Sequence, residues 1–252
     1  MVSGARGKAK ARTFEQKLRS NRPLQELATS PLLLTLLCLV FQERNDFDGT
    51  RAELYKQGLD VLLYKWDARR DIERDLPAGV NKSSLEPLLA ELAYTHFFAG
   101  EVFFERTEII RQIQTYFEKR NITANGVVID ASQVLNSIEA GIGLLVARSM
   151  DVYSFSHLTF QEYLTAQQVV RKPSLLVQIA PYVGRANWRE VWLLLATLLD
   201  ADDLVRGMKF AADLLIEKDT DIQKILRWCF QKANREKGHK AVASVSKNRM
   251  SY

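Results

Sequence analysis

Two short stretches, L-L-V-A-R-S at 144–149 and V-Y-S-F-S at 152–156, do most to limit what this chain can fold into. They carry the one convincing strand signal in a sequence otherwise patterned for helices, and Met150-Asp151 between them reads as a hairpin turn. Two strands are not stable alone in water, so the hairpin must lie against helices. Tyr153 and Phe155 alternate with Ser154 and Ser156, which predicts a strand buried on one face. Helical spacing follows at once in Phe160, Tyr163, Leu164 and Gln167, and Thr159 with Glu162 forms a capping box. His157 stands at the handover, where a helix N-terminus offers unpaired N–H groups and positive potential to an anion.

Helix signals fill the rest. Ser30-Pro31 opens a helix with proline at its first position, and its run L-L-L-T-L-L-C-L-V-F, apolar almost all round, predicts a buried helix. Thr50 and Glu53 make a second capping box, starting a long amphipathic helix through Leu54, Leu59, Val61, Leu62 and Trp66. Pro77 and Gly79 mark a loop. Ser84 is the expected cap of a helix with Pro87 in its first turn and Gly100 at its end. Helices over about 107–119 and from Asp130, capped with Gln133, to Gly141 follow, separated by a polar turn at 121–126. Three helices, a two-stranded wing and a closing helix make a winged-helix arrangement. From Pro173 the pattern is helical again, with Asn187/Glu190 and Thr220/Gln223 as capping pairs, and no fixed-period repeat is evident.

The expected fold class is mainly α: a helical bundle plus a winged-helix domain with a short two-stranded β-hairpin, then a C-terminal helical region. The expected divisions are a flexible basic arm at 1–22, a helical segment at 23–78, the winged helix at 79–172, a helical domain at 173–238 and a disordered basic tail at 239–252.

Charge and composition narrow the function. The net charge of +5 is concentrated at the ends: seven Lys/Arg against one Glu in residues 1–22, and eight against one Glu in 224–252. The body between is therefore acidic, which predicts weak, nonspecific nucleic-acid attraction through the ends and no shaped site. The longest apolar run, 31–41, is too short for a bilayer, and no secretory leader is visible, so no membrane role is expected. Cys38 and Cys229 sit in apolar helical patterns and read as reduced core residues of a cytoplasmic protein; no Cys/His cluster has metal spacing.

No phosphate loop is present, since G-A-R-G-K-A at 4–9 lacks the earlier glycine and carries Ala9 where a magnesium-binding hydroxyl belongs. There is no G-x-S-x-G, and of the three histidines His96 lies on the apolar stripe of Leu85, Leu88, Leu89 and Leu92, read as a satisfied core residue, while His239 lies in the tail. Asp202-Asp203 reads as a helix cap. The chain is not expected to be an enzyme by itself.

Taken together, E-L-A-T-S-P-L-L-L-T-L-L-C-L-V-F, R-A-E-L-Y-K-Q-G-L-D-V-L-L-Y-K-W-D, I-E-A-G-I-G-L-L-V-A-R and Y-S-F-S-H-L-T-F-Q-E-Y-L-T-A resemble the C-terminal half of a bacterial NACHT protein, over roughly residues 14–172. NACHT proteins belong to the STAND class of signalling P-loop NTPases, which includes the NOD-like receptors. W-R-E-V-W-L-L-L-A-T-L-L-D-A-D-D-L resembles, more loosely, the helical region that follows the winged helix. The family's Walker A and Walker B strands have no counterpart here; a truncated or split gene product, a start codon placed downstream of the true one, or a member without its ATPase core is expected.

The resemblance implies a role for two residues. His157 matches the histidine that contacts the β-phosphate of ADP and locks the winged helix on the nucleotide domain at rest. Pro31 matches the proline near the adenine, with a plain helix-starting role as its alternative. ADP or ATP is thus implied only together with a P-loop domain from a preceding part or a neighbouring gene, with self-association on activation as a further implication and defence or signal transduction as the setting. Two other readings stand beside the switch. One is a winged-helix DNA-binding regulator, against which D-A-S-Q-V-L-N-S-I-E-A-G at 130–141 has two acids and no Lys or Arg. The other is a ligand-free helical interaction scaffold.

Overall fold

Local sequence signals become helices along most of a computed structural model that describes residues 2–21, 24–25, 28–29, 31–44, 46–47, 50–60, 80–123, 129–141 and 143–232. The expected helix beyond Asp60 through Trp66, the loop at Pro77 and Gly79, His239 and the tail 239–252 lie outside the described residues, as does part of the turn at 121–126.

The segment expected to be a flexible arm is helical: α1 spans Val2–Ser20. Its anchor is apolar, because Phe14 sits 5.4 Å, centroid to centroid, from both Phe41 and Phe47, which stack on each other. Lys10 Nζ donates to the Gln42 carbonyl and Lys17 pairs with Asp46, so part of the basic charge is spent on docking the helix. Next come α2 (Pro31–Arg44) and α3 (Arg51–Asp60). In α2 Leu37, Val40 and Phe41 are buried while Thr35, Cys38 and Gln42 are exposed. The expectation of burial all round is corrected: one face docks and the other meets solvent. Neither cysteine is a core residue, since Cys38 and Cys229 are both exposed and free.

The core of the chain is the four-helix unit with its wing. Helix α4 (Lys82–Ala99) begins at Asn81, whose side chain accepts from the Ser84 N–H while Ser84 Oγ receives the Asn81 N–H. The cap is three residues earlier than Ser84, so Pro87 falls inside the helix, beyond its first turn. Gly100 ends it in the left-handed region at φ 79°, which glycine adopts without the Cβ clash of other residues. After β1 (Phe104–Glu105) come α5 (Arg106–Lys119) and α6 (Ala131–Gly141), whose cap Asp130 accepts from Ser132 and Gln133 N–H as expected. Strands β2 (Leu145–Ser149) and β3 (Val152–Phe155) form the wing, and α7 (Leu158–Arg171) closes the unit.

The sheet has three antiparallel strands in the order β1-β3-β2, one more than the hairpin read from sequence. β1 is only two residues long, too short to show an alternation, and pairs Phe104 with Tyr153 and Glu105 with Val152. β3 is therefore central, and Ser154 is buried between Tyr153 and Phe155 where one-sided burial was expected.

Packing radiates from α4 and α7, the helix pair in most extensive contact. α4 buries Leu85, Leu88, Leu89 and Leu92; α7 buries Phe160, Tyr163, Leu164 and Val169. Each such side chain contributes about 1.5–3 kcal/mol when fully removed from water. Past Lys172 run α8 (Leu175–Ile179), α9 (Arg189–Leu198), α10 (Ala201–Lys218) and a last helix, α11, over 220–232. α9 packs on α7 and buries Val191, Trp192, Leu194 and Leu195, and α10 lies on α8 and the turn at 180–182. No described helix is long and apolar enough to cross a membrane.

Candidate functional site

The wing ends where α7 begins, and one histidine makes the joint. His157 has extended backbone angles (φ −145°, ψ 138°) and is the N-cap of α7. Its ring Nδ1 accepts from the Thr159 N–H at 3.3 Å and lies 2.5 Å from Thr159 Oγ1. Thr159, read from sequence as the capping residue, is therefore the capped one. The Thr159 N–H donates to Nδ1, an arrangement that fits the tautomer with its proton on Nε2. The ring is half-buried.

Sequence reasoning missed Arg148. The β2–β3 ladder pairs Ala147 with Tyr153 and Ser149 with Val152, so Arg148 is the extra residue of a bulge. A bulge re-aims a side chain, and this one turns the guanidinium onto β3: Nε donates to Ser154 Oγ at 2.8 Å, and Nη2 approaches the Ser156 carbonyl at 3.5 Å. That carbonyl is bonded to the His157 nitrogen, so the guanidinium braces the strand leading into the histidine. Arg148 has no carboxylate partner among the described residues, and its positive charge stays unneutralised. No alternation rule announces a bulge, hence the omission.

On the other side a buried network holds α7 in place. His96 is 1% exposed, stacks on Phe104 with centroids 4.1 Å apart, and holds Glu101 Oε2 at 2.7 Å from Nδ1. Gln161 of α7, also buried, donates to the Glu101 carbonyl at 3.1 Å. The end of α4, the start of β1 and the first turns of α7 are thereby tied together behind His157. His96 is a core residue as expected, although its Nε2 has no hydrogen-bond partner among the described residues. Tyr153 joins the wing to α6 by donating to Glu139 Oε2 at 2.7 Å, and burial together with that carboxylate pushes its phenol upward.

Pro31 opens α2, and its side chain lies outside the described residues. A groove between α4 and α5, lined among others by Leu92, Thr95, Glu108, Arg111 and Lys119, does not include His157. Among the described residues no group of three His, Cys, Asp or Glu side chains converges as a metal site would need.

The family described as the winged helix-turn-helix domain C-terminal to NACHT matches residues 51–169, from the first residue of α3 almost to the end of α7. Residues 51–169 are a NACHT-associated winged helix domain. The match takes in the wing, its bulge and the His157 cap, and its description implies a NACHT domain as the partner on its N-terminal side. No curated protein matches the chain.

Proposed function

We propose that this NACHT-associated winged helix is the nucleotide-sensing clamp of a STAND-type switch, with His157 donating from Nε2 to the β-phosphate of ADP held on a P-loop domain. The observation that carries the reading is the capping arrangement: the Thr159 N–H donates to Nδ1, which fits the tautomer in which Nε2 is the donor. Arg148 adds unneutralised positive charge to the strand that delivers the histidine. Pro31, by the same resemblance, would lie on the adenine side of the nucleotide. In this reading ADP holds the winged helix and the nucleotide domain together, and exchange for ATP releases them, a shift of population rather than chemistry performed by this chain. Release would free the domains to self-associate in a cytoplasmic defence or signalling pathway.

The DNA-binding reading is weaker. The helix before the wing, α6, carries Glu139 and no Lys or Arg, and Glu139 is engaged with Tyr153. The test is ADP retention in this chain joined to a P-loop domain. His157→Ala should speed ADP release by about tenfold or more, since a hydrogen bond to a charged group contributes ~1.5–3 kcal/mol. An unchanged off-rate rejects the clamp. The chain alone should neither hydrolyse ATP nor bind it tightly; magnesium-dependent turnover by the purified chain, above contaminant controls, rejects the assignment of catalysis to another domain.

A further inference from the structure

Helix α11 carries a complete amphipathic pattern that no described residue covers. Ile222, Ile225, Leu226, Cys229 and Phe230 recur at i, i+3, i+4, i+7 and i+8, one continuous apolar face of a helix. Yet every residue from 219 to 232 except Gln223 is exposed, including Ile225 at 59%, Trp228 at 60% and Phe230 at 70%. A break at Asp219 separates this helix from α10 and is well made. Asp219 Oδ1 accepts from the Asp221 and Ile222 N–H groups, while Gln223 Nε2 closes α10 by donating to the Ile216 and Glu217 carbonyls. The helix is thus fixed in direction while its apolar face meets solvent.

Its charges are sorted along the axis. Asp219 and Asp221 stand at the N-terminal end; Lys224, Arg227 and Lys232 follow toward the C-terminal end. Lys224 pairs with Asp221 in its own helix, whereas Arg227 and Lys232 have no carboxylate partner among the described residues. A second α11 laid antiparallel on the stripe sets its acidic end beside Lys232, and the two helix dipoles oppose. A parallel copy sets like ends together. The same patch on both partners gives a closed two-fold contact.

We propose that helix 220–232 is a self-association face through which two copies of this chain pair antiparallel, burying Ile222, Ile225, Leu226 and Phe230 between them. The pairing does not involve His157, so the failure of either assignment leaves the other standing.

Sedimentation velocity of the full chain over a concentration series tests it. A monomer–dimer equilibrium is expected, and Phe230→Glu or Ile225→Glu should raise the dimer Kd at least about tenfold, the effect of losing a central apolar anchor. Both positions are exposed, so each variant should keep the wild-type circular dichroism. Cross-linking sets the direction, with Cys38 and Cys229 changed to serine. Leu226→Cys lies near the helix midpoint and should form a disulfide dimer. Thr220→Cys should not, because antiparallel helices hold those ends ~18 Å apart at 1.5 Å per residue. A monomer at every concentration overturns the proposal, as does a dimer indifferent to Phe230→Glu. Equal cross-linking through Thr220→Cys overturns the antiparallel arrangement. A monomer destabilised by Ile225→Glu shows the stripe covered within one chain and overturns it as well.

Discussion

Helices α7 and α11 share an apolar i, i+3, i+4 start and have opposite surroundings. In α7, Phe160, Tyr163, Leu164 and Val169 are buried by α4, α9, α3 and β3. In α11, Ile222, Ile225, Leu226 and Phe230 follow a similar spacing and are exposed. Periodicity therefore announces a face to be covered and is silent about what covers it. The helix inside the family match is covered by its own chain; the helix outside it is not.

The comparison breaks most readily at its ends. Phe160→Ala removes a fully buried ring and should cost about 3–5 kcal/mol, read as a lower urea midpoint at unchanged slope. Ile225→Ala, measured at a dilution where the chain is monomeric, should stay within about 0.5 kcal/mol. Equal losses at the two positions would mean that α11 is packed after all. A smaller effect is expected at Gly100, where φ is 79° and no atom lies within 4 Å of the place a methyl group would take. Gly100→Ala should cost roughly 1–2 kcal/mol through the backbone alone. A neutral result would show that the end of α4 relaxes, and with it the His96–Glu101 brace behind α7.

At His157 two contributions can be separated. Alanine removes the cap of α7, which should cost on the order of 1 kcal/mol, whereas asparagine is itself a good cap and should recover most of it. Neither should restore ADP retention in the joined protein if Nε2 contacts the phosphate. Recovery of the off-rate by His157→Asn would assign the histidine to helix capping and nothing more.

Much of this architecture was legible from short-range signals. The wing strands and the ends of α5 lie within a residue or two of their sequence positions, and Thr50–Glu53 and Asp130 cap as read. Capping residues elsewhere are displaced upstream: Asn81 for Ser84, His157 for Thr159, Asp200 for Asp202 and Asp219 for Thr220. Several polar residues in a row can each cap, and the choice among them is made by tertiary packing. Asn187 caps nothing, because a 3-10 turn over Ala186–Trp188 leads straight into α9. Of the site, His157 was legible through its place between two periods. Arg148 was not, because its direction depends on a bulge set by the pairing of two strands.

The smallest expected effect concerns α1, whose docking tests whether a basic segment outside the family match is held by apolar contact or by charge. The Lys17 ammonium and then the Phe47 N–H hold the Asp46 carboxyl below its usual range. A carboxyl that binds its proton more weakly in the folded chain adds stability above its unfolded pKa and loses that contribution as the pH falls through the folded value. Asp46→Asn keeps an oxygen for the Phe47 N–H and removes the charge, so it isolates the pair with Lys17. The variant should melt slightly below the wild type near neutral pH, and the gap should close in acid as Asp46 itself takes up its proton. Because both partners remain over a third exposed, the gap should be small and should shrink in salt. Phe14→Ala, which removes the ring packed on Phe41 and Phe47, should loosen α1 at every pH. A larger loss from Asp46→Asn than from Phe14→Ala would reverse the order of forces and make α1 an electrostatic attachment.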